Sequence, residues 1–150
     1  MTHDCASIRP LAELLFRQPR DAVASRSAAR LVRRGRGALL MSALLEHAGA
    51  REGGVLEVMS TLEGMMDAEP FSATYLMASL YPIAARRREH AICDAVNLWM
   101  HSPLPSMSIE ALRKLAQEGM RLRFEQQLSA WIAALEATCR SAAGDRDESA

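Results

Sequence analysis

The sequence is poor in aromatic residues, contains a single lysine and has no long apolar run. Aromatic residues make up 5% of its 150 positions. Long runs of Val, Ile and Thr are missing, so β-strands have little support. No stretch approaches the roughly 20 apolar residues that a membrane-spanning helix needs. The N-terminus lacks a basic start followed by an apolar stretch, so we expect no signal peptide and predict a cytoplasmic protein.

Net charge and cysteine pairs are also missing. The chain has 18 basic and 18 acidic residues, and this balance argues against a dedicated nucleic-acid binder, which should be strongly basic. Its three cysteines, Cys5, Cys93 and Cys139, form no CxxC pair. We therefore expect reduced, structural thiols in a reducing compartment.

No motif for catalysis or metal binding stands out. His90 and Cys93 are one helical turn apart and, with His47 or His101, could contribute to a metal site. A structural zinc site needs four ligands with close local pairs, and only this one pair is present. A Cys–His nucleophile needs an orienting group, and Asp94 does not share the helical face of His90. We predict no catalytic residue, no cofactor and no metal.

The residues that are abundant favour helices. Alanine, leucine and nine methionines supply small and flexible side chains, and apolar positions recur every three to four residues. Asp21 is expected to cap one helix and Gly49 to end the next. Pro82 is expected to kink or end a later helix, Arg86–Arg88 to form a polar corner, and Ser108 to cap the last helix.

These signals predict an all-α protein with six or seven helices, arranged as a short antiparallel helical-hairpin array or as a bundle. We expect a basic segment at 1–36, helical or mobile, a helical core at 37–140 and a disordered tail at 141–150. The last helix, from Ile109 to about Arg140, is long for such a bundle. It either bends at Gly119 or protrudes and packs on a partner or a second copy, forming a homodimer.

One segment carries a repeat-like pattern. Pro70 and Pro103 each follow a predicted helix and lie 33 positions apart, close to the period of about 34 in tetratricopeptide repeats. Residues 72–103 resemble one such unit, although Pro82 occupies a place where a large residue is usual. The matching positions are a large apolar residue, small residues at the helix crossing and the closing proline: Tyr75, Ala78, Ser79, Ala91, Ala95, Leu98 and Pro103.

In its size, its helical content and this one unit, the chain resembles the small chaperones of bacterial type III secretion systems, which have two or three such units. That resemblance implies a non-catalytic chaperone or adaptor whose helical face buries an amphipathic helix of an aggregation-prone partner protein. Adaptable methionines suit such a groove. The expected partner-binding residues are apolar or aromatic: Met59, Leu62, Met66, Tyr75, Met77, Trp99, Phe124, Leu128, Trp131 and Leu135.

The alternative function is a DNA-binding transcriptional regulator. The segment Arg17–Arg36 holds seven arginines and one acid, Asp21, and arginine suits bidentate contact with phosphate. No aromatic residue alternates with these arginines, so the segment lacks a stacking platform for single strands. We expect the protein-binding function instead.

Overall fold

The fold consists of α-helices. The computed structural model describes residues 3–49, 54–101, 105–118 and 124–148, and no strand occurs in these ranges. They form eight helices: α1 (His3–Arg17), α2 (Ala22–Arg33), α3 (Gly37–Ala48), α4 (Gly54–Met65), α5 (Pro70–Arg86), α6 (His90–Trp99), α7 (Pro105–Glu118) and α8 (Glu125–Glu148). The all-α prediction is confirmed, and the helices outnumber the predicted six or seven. No helix in the described ranges combines the length and apolar character needed to cross a membrane.

Helix α5 lies at the centre of the fold. Every residue from 71 to 80 is buried, and α5 contacts α2, α3, α4, α6 and α7. Helix α1 packs on α3, and α8 packs on α7. Buried apolar side chains from all eight helices join in one core. The described helices therefore form a bundle around one buried helix.

The basic N-terminal segment is helical where it is described. The Asp21 carboxylate accepts hydrogen bonds from the backbone N–H groups of Val23 at 2.8 Å and Ala24 at 3.3 Å. The predicted cap of α2 is thus confirmed. Ala28 and Val32 are fully buried and belong to the same core as the later helices. This part of the segment packs with the rest of the chain.

The three consecutive arginines form the corner between α5 and α6, as predicted. Helix α5 ends at Arg86, and Arg88 adopts a left-handed backbone conformation with φ 57°. The Glu89 N–H donates to the Ala84 carbonyl at 2.9 Å, which closes the turn. All three arginine side chains are exposed, so this charge run is the solvated end of a helix pair.

Pro82 was predicted to kink or end its helix, and the helix does not end there. Helix α5 continues for another turn to Arg86. A proline inside a helix removes one backbone hydrogen bond and crowds the preceding turn. Pro82 and Ala84 are both buried, and burial of this last turn against the core offsets that local cost.

The C-terminal region also differs from the prediction. Ser108 lies inside α7, buried, with its hydroxyl 3.3 Å from the Thr74 hydroxyl, instead of capping a helix. Helix α7 ends at Glu118, and Phe124 precedes α8, so the predicted single helix is two helices. The expected bend at Gly119 lies outside the described residues. Helix α8 runs to Glu148 and so extends through most of the segment 141–150 predicted to be disordered.

Candidate binding cleft

Most of the predicted partner-binding residues lie inside the fold. Eight of the ten are buried in the common core: Met59, Leu62, Tyr75, Met77, Phe124, Leu128, Trp131 and Leu135. Met66 and Trp99 are half-buried and pack against that core. The structure brings these residues together as packing within the chain. In this conformation they do not form an open groove for a partner helix.

The aromatic residues among them have their partners within the chain. Tyr81, Phe124 and Trp131 form a cluster with ring centroids 5.3 to 6.2 Å apart. The Trp131 indole N–H donates to Asn97 Oδ1 at 2.8 Å, and Gln127 Nε2 donates to the same oxygen at 2.6 Å. The Trp131 ring is thus packed and its indole N–H is hydrogen-bonded within the chain, and this side chain connects α8 to α6.

Tyr75 is also held by contacts within the chain. Its ring fills the space beside Gly37, where an added Cβ would collide with the ring. Its hydroxyl donates a hydrogen bond to the Glu118 carboxylate, which also pairs with Lys114 Nζ at 2.7 Å. Burial raises the pKa of the Tyr75 phenol, and the hydrogen bond to Glu118 and its negative charge raise that pKa further. Tyr75 therefore stays protonated and joins α5 to α7.

The surface also has an open cleft of about 720 Å³, which is lined by none of the predicted partner-binding residues. We call it the binding cleft. It lies where the end of α3, the start of α4 and the end of α5 meet, and its lining residues are Ser42, Leu45, Glu46, Gly49, Gly54, Val55, Ile83, Arg87 and Glu89. Its volume falls in the range of about 300–1,000 Å³ typical of binding sites.

Two glycines shape one wall of the binding cleft. Gly49 ends α3 with φ 76°, in the left-handed region that favours glycine. A Cβ on Gly54 would lie 3.1 Å from the Gly49 carbonyl oxygen and 3.3 Å from that of Ala48. Glycine at position 54 therefore lets the end of α3 and the start of α4 approach closely.

The polar groups of the binding cleft include one that lacks a partner. Glu89 Oε2 is buried, and no described residue offers it a hydrogen bond. Glu46 is bound weakly by Arg9 at 3.4 Å, and both side chains are largely exposed. Arg87, two positions before Glu89, also lines the cleft and is exposed. A buried carboxylate oxygen without a donor is costly, so a ligand that brings an N–H group would be stabilised here.

The weak candidates for catalysis are not arranged for it. Burial raises the pKa of the Cys93 thiol, and the nearby charges of Asp94 and Glu89 also favour its protonated form. A nucleophilic cysteine needs the opposite shift, toward thiolate. The Sγ atom faces the Tyr81 carbonyl oxygen at 4.0 Å, while His90 is exposed. Cys93 is thus a buried packing residue.

The basic segment presents arginines on the surface of α2. Arg26, Arg30, Arg33 and Arg34 are exposed, and the Arg33 guanidinium lies 4.8 Å from the centroid of the Phe71 ring. That contact fixes the end of α2 against the start of α5. The other exposed arginines place positive charge on this surface.

Sequence reasoning missed the binding cleft. Its lining comes from four short segments, 42–49, 54–55, 83 and 87–89, which no single periodicity connects. The local signals were Gly49, the paired glycines before Val55 and the arginine corner, each of which indicates a helix end. Three helix ends at one place can leave a cleft, but only the tertiary arrangement shows that they meet.

Comparison with protein-family models, with curated proteins and with solved structures finds no match to this chain.

Proposed function

We propose that this chain is a non-catalytic protein-interaction module that holds a segment of another protein in the binding cleft. Its sharpest form is a small bacterial cytoplasmic chaperone or adaptor of the type III secretion kind. The observation that carries the proposal is the cleft itself, with half-buried Leu45 and Ile83 beside the unpartnered Glu89 carboxylate oxygen. Apolar walls with a few polar groups are typical of recognition sites.

The lining of the cleft indicates the chemistry of the bound segment. An apolar side chain would pack on Leu45 and Ile83, and a lysine, arginine or backbone N–H would donate to Glu89. An amphipathic helix offers both kinds of group on one face. The helical-hairpin resemblance is supported by α5 and α6, which pack on each other across a short corner. We include in this proposal that the helices are arranged as an array of such hairpins.

The proposal is tested by site-specific photocrosslinking in the native host. A photoreactive amino acid at Ile83 is expected to capture one defined partner protein, and Ile83→Asp is expected to abolish its copurification. Position 133 on α8 provides the control, because Ala133 is exposed and remote in sequence from the cleft lining.

The outcome is decided by the contrast between the two positions. Capture at position 83 and none at 133, with Ile83→Asp folded by circular dichroism, supports the function. Equal capture at both positions, or none at either, contradicts it.

A further inference from the structure

Helices α2 and α4 expose surface rows of the same spacing and opposite charge. Each row has an apolar residue, a serine at i+4 and a charged residue at i+7, which share one helical face. A second charge follows at i+11, just beyond each helix end. The basic row is Val23, Ser27, Arg30 and Arg34, and the acidic row is Leu56, Ser60, Glu63 and Asp67.

Both rows are available for contact. Val23 is 62% exposed and Leu56 is 55% exposed, and these are two of the four large apolar side chains that the described residues leave exposed. All four charged members are exposed, and none of their side chains has an ion pair or hydrogen bond within the described part of the chain. The Ser27, Arg30 and Arg34 side chains line a shallow groove of about 340 Å³.

The charge of each helix is of one sign. No acid occurs between positions 22 and 36, and no base between 54 and 70. Arginines near the end of α2 suit the negative end of a helix dipole, so the fold itself favours them. Glu63 and Asp67 near the end of α4 oppose that dipole. Stability of the isolated fold therefore does not account for the acidic row, whereas a partner's cations would offset its cost.

We propose that α2 of one copy packs parallel to α4 of a second copy. In parallel register Val23 faces Leu56, Ser27 faces Ser60 and Arg30 faces Glu63, with Arg34 near Asp67. An antiparallel register would place the apolar residue of each row against a charge. Pairing two copies of α2 would oppose like charges. The complementary rows thus select one partner surface and one direction.

The contact joins two unlike surfaces. A copy bound through its α2 row still has a free α4 row, so further copies can add unless the assembly closes on itself. One helix pair offers a small, partly charged interface, so the association is weak and sensitive to salt. It uses neither the binding cleft nor α8.

The test is a charge swap followed by sedimentation velocity over a range of protein and salt concentrations. The wild-type chain is expected to self-associate at low salt and to dissociate as salt rises. Arg30→Glu and Glu63→Arg should each lower the association constant by about tenfold or more, because an attraction becomes a repulsion. The double variant carrying both changes restores opposite charges and is expected to regain most of the association.

Matched controls separate this contact from a general effect of charge. Arg86→Glu and Glu110→Arg make the same charge changes at exposed positions of α5 and α7, and should leave association unchanged. Melting curves show that each variant is folded. A monomeric wild type, equal losses in the controls or a double variant as weak as the singles overturns the proposal.

Two further outcomes would indicate a different contact between copies or a different ligand for the basic row. Association that survives both reversals points to a contact elsewhere, such as α8, and overturns the proposed pairing. Binding of duplex DNA that Arg30→Glu removes, with a wild type monomeric at all concentrations, assigns the basic row to phosphate instead.

Discussion

Helices α5 and α2 use their side chains in contrasting ways. In α5, ten consecutive residues are buried, and five other helices pack around it. In α2, five residues are buried, all of them small except Val32, and the arginines face outward. The apolar content of α5 therefore serves the fold. The exposed face of α2 contributes little to the core, so removing one of its side chains should change the packing of the interior little.

The largest expected contrast comes from truncating one apolar residue in each helix. Leu76 in α5 is fully buried, so Leu76→Ala should lower the free energy of unfolding by about 2–5 kcal/mol. Val23 in α2 is 62% exposed, and Val23→Ala should change it by at most about 0.5 kcal/mol. Urea unfolding followed by circular dichroism measures both. Comparable losses in the two variants would remove the contrast.

A smaller effect is expected from the phenol of Tyr75, a polar group on the buried helix. Tyr75→Phe loses the hydrogen bond to Glu118, which should cost about 1 kcal/mol at neutral pH. Because the pKa of Tyr75 is raised in the folded chain, the unfolded chain releases this proton first as pH rises. Wild-type stability should thus fall above about pH 10, the ordinary range for tyrosine.

The pH dependence separates this role from simple packing. Tyr75→Phe should show a shallower alkaline decline in the free energy of unfolding than the wild type. Parallel alkaline curves for the wild type and Tyr75→Phe would show that the phenol has no raised pKa.

The smallest expected effect concerns one buried serine in each helix. Ser25 in α2 and Ser72 in α5 are fully buried, and neither hydroxyl has a hydrogen-bond partner among the described residues. Ser25→Ala and Ser72→Ala should each raise the free energy of unfolding by up to about 1 kcal/mol. A loss of stability in either variant would indicate that its hydroxyl is satisfied. Thermal melts of the two variants under the same conditions measure both changes in stability.

Local features of the fold could be predicted from the sequence because their causes are local. Asp21 caps α2 through N–H groups two and three residues away, and Gly49 ends α3 through its own backbone angle. Helix α5 does not end at Pro82 and Ser108 does not cap a helix, because burial against other helices outweighs the local preferences of these residues. Apolar periodicity identified helix faces, but could not show whether Phe124 and Trp131 pack inside the chain or against a partner. The binding cleft depends on helix ends that are distant in sequence.

The contact between Gly37 and Tyr75 has an evolutionary consequence. Position 37 is closed to any side chain as long as an aromatic ring occupies position 75, because a Cβ and the ring would claim the same space. A Cβ added at the neighbouring Gly35 would have no atom within 4 Å, so position 35 is constrained only by its positive φ angle. Among descendants of this sequence, residues 37 and 75 should therefore covary, a larger residue at 37 accompanying a smaller one at 75, while position 35 varies independently toward asparagine.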